Sequence, residues 1–172
     1  MSSLTTRPFD LLVVVFLLSH IPITVFIDSQ AVFPRHWYPE WATATLDWYV
    51  RTYEDPLMKD TPPWFLGLAV NEVFLQLPFF FVGAYAFILG KAWIRMPALI
   101  YGVSTATTLV PIFAEFLSQP GPHQKTLIVF YLPYLILPAA IAIQMARKLS
   151  RPQLEGRKNY SSLAASKADR ME

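Results

Sequence analysis

The chain has 172 residues, of which 54% are hydrophobic and 15% charged, with a net charge of +2. Soluble domains carry nearer a quarter charged residues, and the apolar residues here collect in long runs, so a soluble globular domain is excluded in favour of an integral membrane protein. Cysteine is absent, which removes disulfides and the usual ligand of zinc and thiol chemistry; no metal, cofactor or nucleic-acid partner is expected.

Four runs contain no Lys, Arg, Asp or Glu over nearly the length of a bilayer: Leu11 to Ile27, Val73 to Gly90, Met96 to Ala114 and Thr126 to Ala146. A spanning helix needs about 20 mostly apolar residues, so four transmembrane helices are predicted. The first run follows a single basic residue, Arg7, and lacks a small-x-small cleavage pattern, so it reads as a span and not as a cleaved leader. Between the first and second spans lies a segment from Pro34 to Pro63 carrying Trp37, Tyr38, Trp41, Trp48, Tyr49 and Tyr53, which suits either an interfacial aromatic belt or a lid over a cavity. Ala42 to Tyr53 has the pattern of a short helix, with Asp47 and Arg51 at i, i+4 spacing. Pro63 to Asn71 extends the second run and places Glu72 inside that helix. The polar, basic tail after Ser150 has a composition that favours disorder. The division is thus a four-helix membrane domain over 1–150 and a tail over 151–172.

The N-terminal stub, the loop between spans two and three, and the tail carry ten of the 14 Lys and Arg residues. The positive-inside rule then puts both termini in the cytoplasm and the 34–63 segment on the luminal or exterior side. Pro22, Pro78, Pro111, Pro133 and Pro138 place at least one proline in every span. Each removes a ladder hydrogen bond and kinks its helix, and four kinked helices cannot pack uniformly, which favours an internal cavity. The expected fold is therefore all-α: a bundle of four proline-kinked transmembrane helices with a luminal lid.

A charged side chain at membrane depth is costly, so Asp28 and Glu72 mark a site. His20, Thr24 and Asp28 recur every four residues and share a helix face, as do Glu72 and Gln76. Tyr101, Thr105 and Thr108 form a stripe on the third span, with Glu115 near its end, and Tyr131 and Tyr134 lie on the fourth. No cluster of cations accompanies the two acids. Brought together they would share one proton, with Glu72 donating to an ionised Asp28. Such an anion in an aromatic box suits a ligand amine through a charge-assisted hydrogen bond and cation–π contacts, with Tyr49, Tyr53 and Tyr131 as candidate walls.

The runs SHIPITVFID, YEDPLM, PPWF, NEVFLQLPFF, WIRMPALIYG and TATTLVPIF resemble those of the sigma-2 receptor family, a branch of the EXPERA-domain group that also holds the emopamil-binding sterol isomerase. The resemblance extends over about residues 9–147 and fails in the tail. It implies a dimeric four-helix receptor of the endoplasmic reticulum membrane, with endolysosomal and plasma membranes as further locations. It also implies cationic amphiphilic small molecules and cholesterol or oxysterols as ligands, links to cholesterol trafficking, and the Niemann-Pick cholesterol transporter as a partner. The family's ligand-anchoring acid falls on Asp28, its buried proton-sharing glutamate on Glu72, and a further acid on Asp55. An Asp before a proline is also a common turn or cap residue, so Asp55 would equally shape the lid. His20, Tyr49, Gln76, Tyr101, Thr108 and Tyr131 match pocket positions. A sterol isomerase is the alternative, since carboxylates around a sterol-shaped cavity would stabilise a carbocation that a cationic amine mimics. A proton-coupled transporter is disfavoured by the lack of inverted repeats.

Overall fold

The computed structural model describes residues 3–168. Four helical stretches are long and apolar enough to cross a membrane: Pro8–Ala31, Pro63–Ile88, Ala92–Ser118 and Gln124–Ser150. The first comprises helix α1 (Pro8–Phe26), opened by Pro8 at its first position, and a 3₁₀ turn over Asp28–Ala31. Helix α2 (Glu40–Tyr53) begins two residues before the expected start because extended Pro39 lets Glu40 open the first turn. Glu54 in the left-handed region ends α2, and Asp55 caps the short helix α3 (Pro56–Asp60). Helices α4 (Pro63–Asn71) and α5 (Leu77–Ile88) form one span joined by a π-helical turn over Glu72–Gln76. Helices α6 (Arg95–Ser118) and α7 (Gln124–Ala168) complete the bundle.

The π turn lies just before Pro78. Pro78 has no N–H to give the carbonyl of residue 74, and its ring would collide with that carbonyl. The ladder widens by one residue here, so that Leu77 N–H donates to the Glu72 carbonyl. Such single wide turns frequently lie at functional sites. Pro22 and Pro111 lie inside α1 and α6, and Pro133 and Pro138 inside α7, so every span carries a proline as the sequence requires.

α1 packs on α5 and α6 on α7. The second pair approaches closely at Gly102, where a Cβ would lie 2.5 Å from the Pro138 carbonyl oxygen and 2.8 Å from the Ala142 nitrogen. Two apolar clusters result. One joins Val13, Leu17, Phe80, Phe87, Tyr101 and Met145; the other joins Leu57, Phe65, Leu109, Ile112, Phe116 and Leu127. Tyr134 borders both. Val15, Leu75, Ile100, Val110, Val129 and Ile136 point outward from the four spans, where hydrocarbon solvates them. Composition changes at Ser150 but the helix does not. The backbone of α7 stays helical to Ala168, through the segment whose composition favours disorder, and residues 169–172 of the proposed tail lie outside the described residues.

Candidate functional site

A cavity of about 380 Å³ lies between the two apolar clusters, within the range of small-molecule sites. α1 and its terminal 3₁₀ turn supply His20, Ile23, Ile27 and Asp28 to its wall. The α4–π–α5 span supplies Phe65, Leu68, Ala69, Glu72 and Gln76, and α6 supplies Tyr101, Thr105, Thr108, Leu109 and Ile112. Phe130, Tyr131 and Tyr134 of α7, Tyr49 of α2 and Met58 of α3 close it.

Its acidic end is built by two irregularities of the backbone. α1 gives way to a tighter turn at Asp28, and the second span widens at Glu72; both carboxyl groups line the same cavity. Both residues remain partly accessible to the cavity. Thr24, fully buried, donates its hydroxyl proton to Glu72 Oε1 at 2.7 Å. The carboxyl pair is thus held from one side, and at least one of its four oxygens must carry a proton for the two acids to hydrogen-bond each other. Neither acid has a Lys or Arg partner among the described residues.

The threonine hydroxyls on the wall are already engaged. Thr105 Oγ1 donates to Gln76 Oε1 at 3.1 Å, and Thr108 donates to the Thr105 carbonyl at 2.8 Å. His20 sits among aromatic rings, 4.6 Å from Phe16, 5.3 Å from Phe80 and 4.5 Å from Tyr134 between ring centres. Tyr101 stacks on Phe79 at 4.4 Å. The wall thus offers a guest two carboxyl groups, with the His20 ring and the Tyr101 and Tyr134 hydroxyls beside them.

Asp55 is fully buried but does not line the cavity. Its Oδ1 caps α3 by accepting from the Leu57 and Met58 amides, at 2.9 and 3.4 Å. Its Oδ2 accepts from the hydroxyls of Tyr49 and Tyr131, each at 2.9 Å. One carboxylate thus ties α2, α3 and α7 together and aims two wall tyrosines. Burial first, and then the charge of Asp55, raise the Tyr49 phenol well above its ordinary value, so it stays a donor.

Of the ten residues expected at the site, Asp28, Glu72, His20, Tyr49, Gln76, Tyr101, Thr108 and Tyr131 line the cavity, whereas Thr24 and Asp55 stand behind it. Tyr53, a candidate wall, packs instead on Phe130 with ring centres 5.0 Å apart. The expected Asp47–Arg51 pair also gives way. Arg35 forks onto both oxygens of Asp47, clipping α2 to the preceding turn and lowering the carboxyl's pKa through that hydrogen bond, while Arg51 Nε donates to the Asp47 carbonyl at 3.2 Å. Sequence reasoning missed the apolar wall. Phe65, Leu68 and Ala69 are reached by stepping back from Glu72 at intervals of three and four residues, the one signal that would have found them.

These features define a polytopic all-α membrane protein whose bundle encloses a cavity with an acidic end and aromatic walls. The EXPERA (EXPanded EBP superfamily) profile matches residues 41–145. The chain is 42% identical over 158 residues to Sigma intracellular receptor 2 of Macaca fascicularis, and 41% to that of Homo sapiens; each alignment covers 83% of this chain and 90% of the relative. It is also 31% identical to Efficient mitochondria targeting-associated protein 19 of Schizosaccharomyces pombe, over 96% of this chain and 90% of that protein. The chain belongs to the EXPERA superfamily.

Proposed function

We propose that this protein is a non-enzymatic intracellular membrane receptor whose cavity takes cationic amphiphilic amines and sterols or oxysterols, and that it regulates cholesterol trafficking. The observation that carries the reading is the placement of Asp28 and Glu72 on the wall of one aromatic-lined cavity, with no cation of the protein to neutralise them among the described residues. In this reading Glu72, held by Thr24, gives its proton to the contact with Asp28. Asp28 then accepts a charge-assisted hydrogen bond from the ligand amine. Tyr49, Tyr131 and Tyr134 supply ring faces, and the Leu109 and Ile112 side holds the apolar body. The high identity to proteins named Sigma intracellular receptor 2 supports the same role. The proposal includes residence in the endoplasmic reticulum membrane with both termini cytoplasmic, a homodimer, and coupling to the Niemann-Pick cholesterol transporter.

Equilibrium binding of a labelled cationic sigma ligand to purified wild type and Asp28→Asn tests the assignment. Loss of amine binding in the variant, with a neutral sterol still retained, is the expected result. Normal amine binding by Asp28→Asn removes Asp28 as the anchor.

A sterol double-bond isomerase is the second reading, favoured by the same convergence of Asp28, Glu72 and His20 on one cavity. It requires a proton donor and acceptor on one double bond. Incubation with a Δ8-sterol separates the two: a shifted double bond that disappears in Glu72→Gln would establish catalysis and displace the receptor reading.

A further inference from the structure

We propose that a second cavity, at the end of the bundle where α1 begins and α5 ends, binds the phosphate of an anionic lipid headgroup between Arg7, Lys91, Arg95 and Lys148. The cavity has a volume of about 280 Å³ and shares no residue with the one holding Asp28 and Glu72. Four cations and a single carboxylate, Asp10, line it. Such an excess of like charge around one concavity is unfavourable without an anion to occupy it.

Two of the four cations are structural. Arg7 Nη1 donates to Asp10 Oδ2 at 2.7 Å and to the Phe87 carbonyl at 3.0 Å, while Nη2 donates to the Ile88 carbonyl at 2.7 Å. It thereby supplies a donor to the Ile88 carbonyl at the end of α5 and a second one to the Phe87 carbonyl, which also accepts from the Gly90 amide. Its approach depends on Gly90, which has φ +63° and would place a Cβ 2.9 Å from Arg7 Nη1. The Arg7 Nε–H is buried and has no partner among the described residues. Lys148 reaches Asp10 only at 3.7 Å. Lys91 and Arg95 are half-buried and make no ion pair or side-chain hydrogen bond among the described residues. They are the two charges that remain for a ligand.

The position selects a lipid over a soluble anion. Lys91 sits in the short connection between the ends of the spans Pro63–Ile88 and Ala92–Ser118, and Arg95 one turn into the second of these, at the height where headgroups lie. Trp93, exposed between them, has the amphipathic ring typical of that layer. The lining below is apolar, with Ala86, Phe87, Ile94 and Met145 buried. Basic pockets between membrane helices recognise anionic headgroups in this way.

The test titrates detergent-purified full-length protein with short-chain phosphatidic acid or phosphatidylcholine and counts bound lipid by native mass spectrometry. Phosphatidic acid should be retained preferentially. Lys91→Ala with Arg95→Ala should lower that retention by roughly tenfold or more, given the attraction two cations contribute near a headgroup. The exchange Lys91→Arg with Arg95→Lys should preserve it, and amine binding in the acidic cavity and thermal unfolding should report an intact fold. Arg147→Ala with Lys125→Ala, exposed charges outside the cavity, serves as the control. No preference for phosphatidic acid in wild type, or equal loss in the control pair, overturns the proposal. Displacement of the lipid by millimolar inorganic phosphate would assign the site to a soluble phosphate and overturn its lipid specificity.

Discussion

Asp28, Glu72 and Asp55 are three acids in apolar surroundings with different consequences. The first two face a cavity and oppose each other; the third faces nothing but donors. Four groups converge on Asp55, two amides and two phenols, so its charge is balanced without a ligand. Removing it leaves α3 uncapped, at about 1 kcal/mol, and strands two partly buried tyrosine hydroxyls at about 1 kcal/mol each, the low end of the usual cost. Asp55→Ala should therefore lower stability by about 3 kcal/mol or more and weaken ligand binding only as a result, because Tyr49 and Tyr131 lose their aim. Thermal unfolding followed by tryptophan fluorescence, beside a binding isotherm, checks this. A variant as stable as wild type that nonetheless fails to bind would make Asp55 a direct ligand contact. Apart from the family resemblance, the residues around Asp55 mark it only as a cap before proline; its bond to Tyr131 spans 76 positions and leaves no local trace.

At the scale of the element, the spans themselves were legible because soluble helices need charged residues on their water-facing side, and a run without any over bilayer length has no such side. Their inward faces were not. A membrane helix is apolar all round, so hydrophobic periodicity does not separate the lipid side from the cavity side, and only polar residues showed direction. The prolines were visible, but the widened turn over Glu72–Gln76 beside Pro78 depends on how the ladder relaxes, since the other in-helix prolines bring no such turn. The α6–α7 contact was equally silent, since Gly102 in a span is unremarkable until Pro138 is seen opposite it. That contact is rigid: the atoms a Cβ would strike are backbone, at 2.5 and 2.8 Å, and cannot rotate away. Gly102→Ala must push α6 and α7 apart, and overpacking of this kind costs about 1–3 kcal/mol. Both helices supply cavity wall, Tyr101, Thr105 and Thr108 on one and Tyr131 and Tyr134 on the other. The expected outcome is a lower unfolding temperature together with reduced amine affinity. Unchanged values for both would mean that the helices separate freely and that their spacing does not set the shape of the cavity.

Across the whole molecule, the proposed function makes the bundle a low-dielectric container for one negative charge. Apolar clusters lie on either side of the cavity that Asp28 and Glu72 line, and no Lys or Arg reaches them among the described residues. Two interacting carboxyls titrate as a pair, in steps that belong to neither alone. A cationic guest binds the singly protonated pair, in which one carboxylate remains free, and is rejected by the doubly protonated one. Binding a cation is therefore linked to proton release, and affinity must fall as the pH is lowered through the step at which the pair takes its second proton. One displaced proton sets the limiting slope at about tenfold per pH unit. A neutral sterol makes no such demand, so its affinity should stay flat over the same interval. Measuring both isotherms on one preparation across the acid range separates the carboxyl pair from acid damage to the fold, which would weaken the two ligands alike. A flat amine profile with intact protein would mean that the cation is held by ring faces alone, leaving Asp28 and Glu72 without a part in binding it.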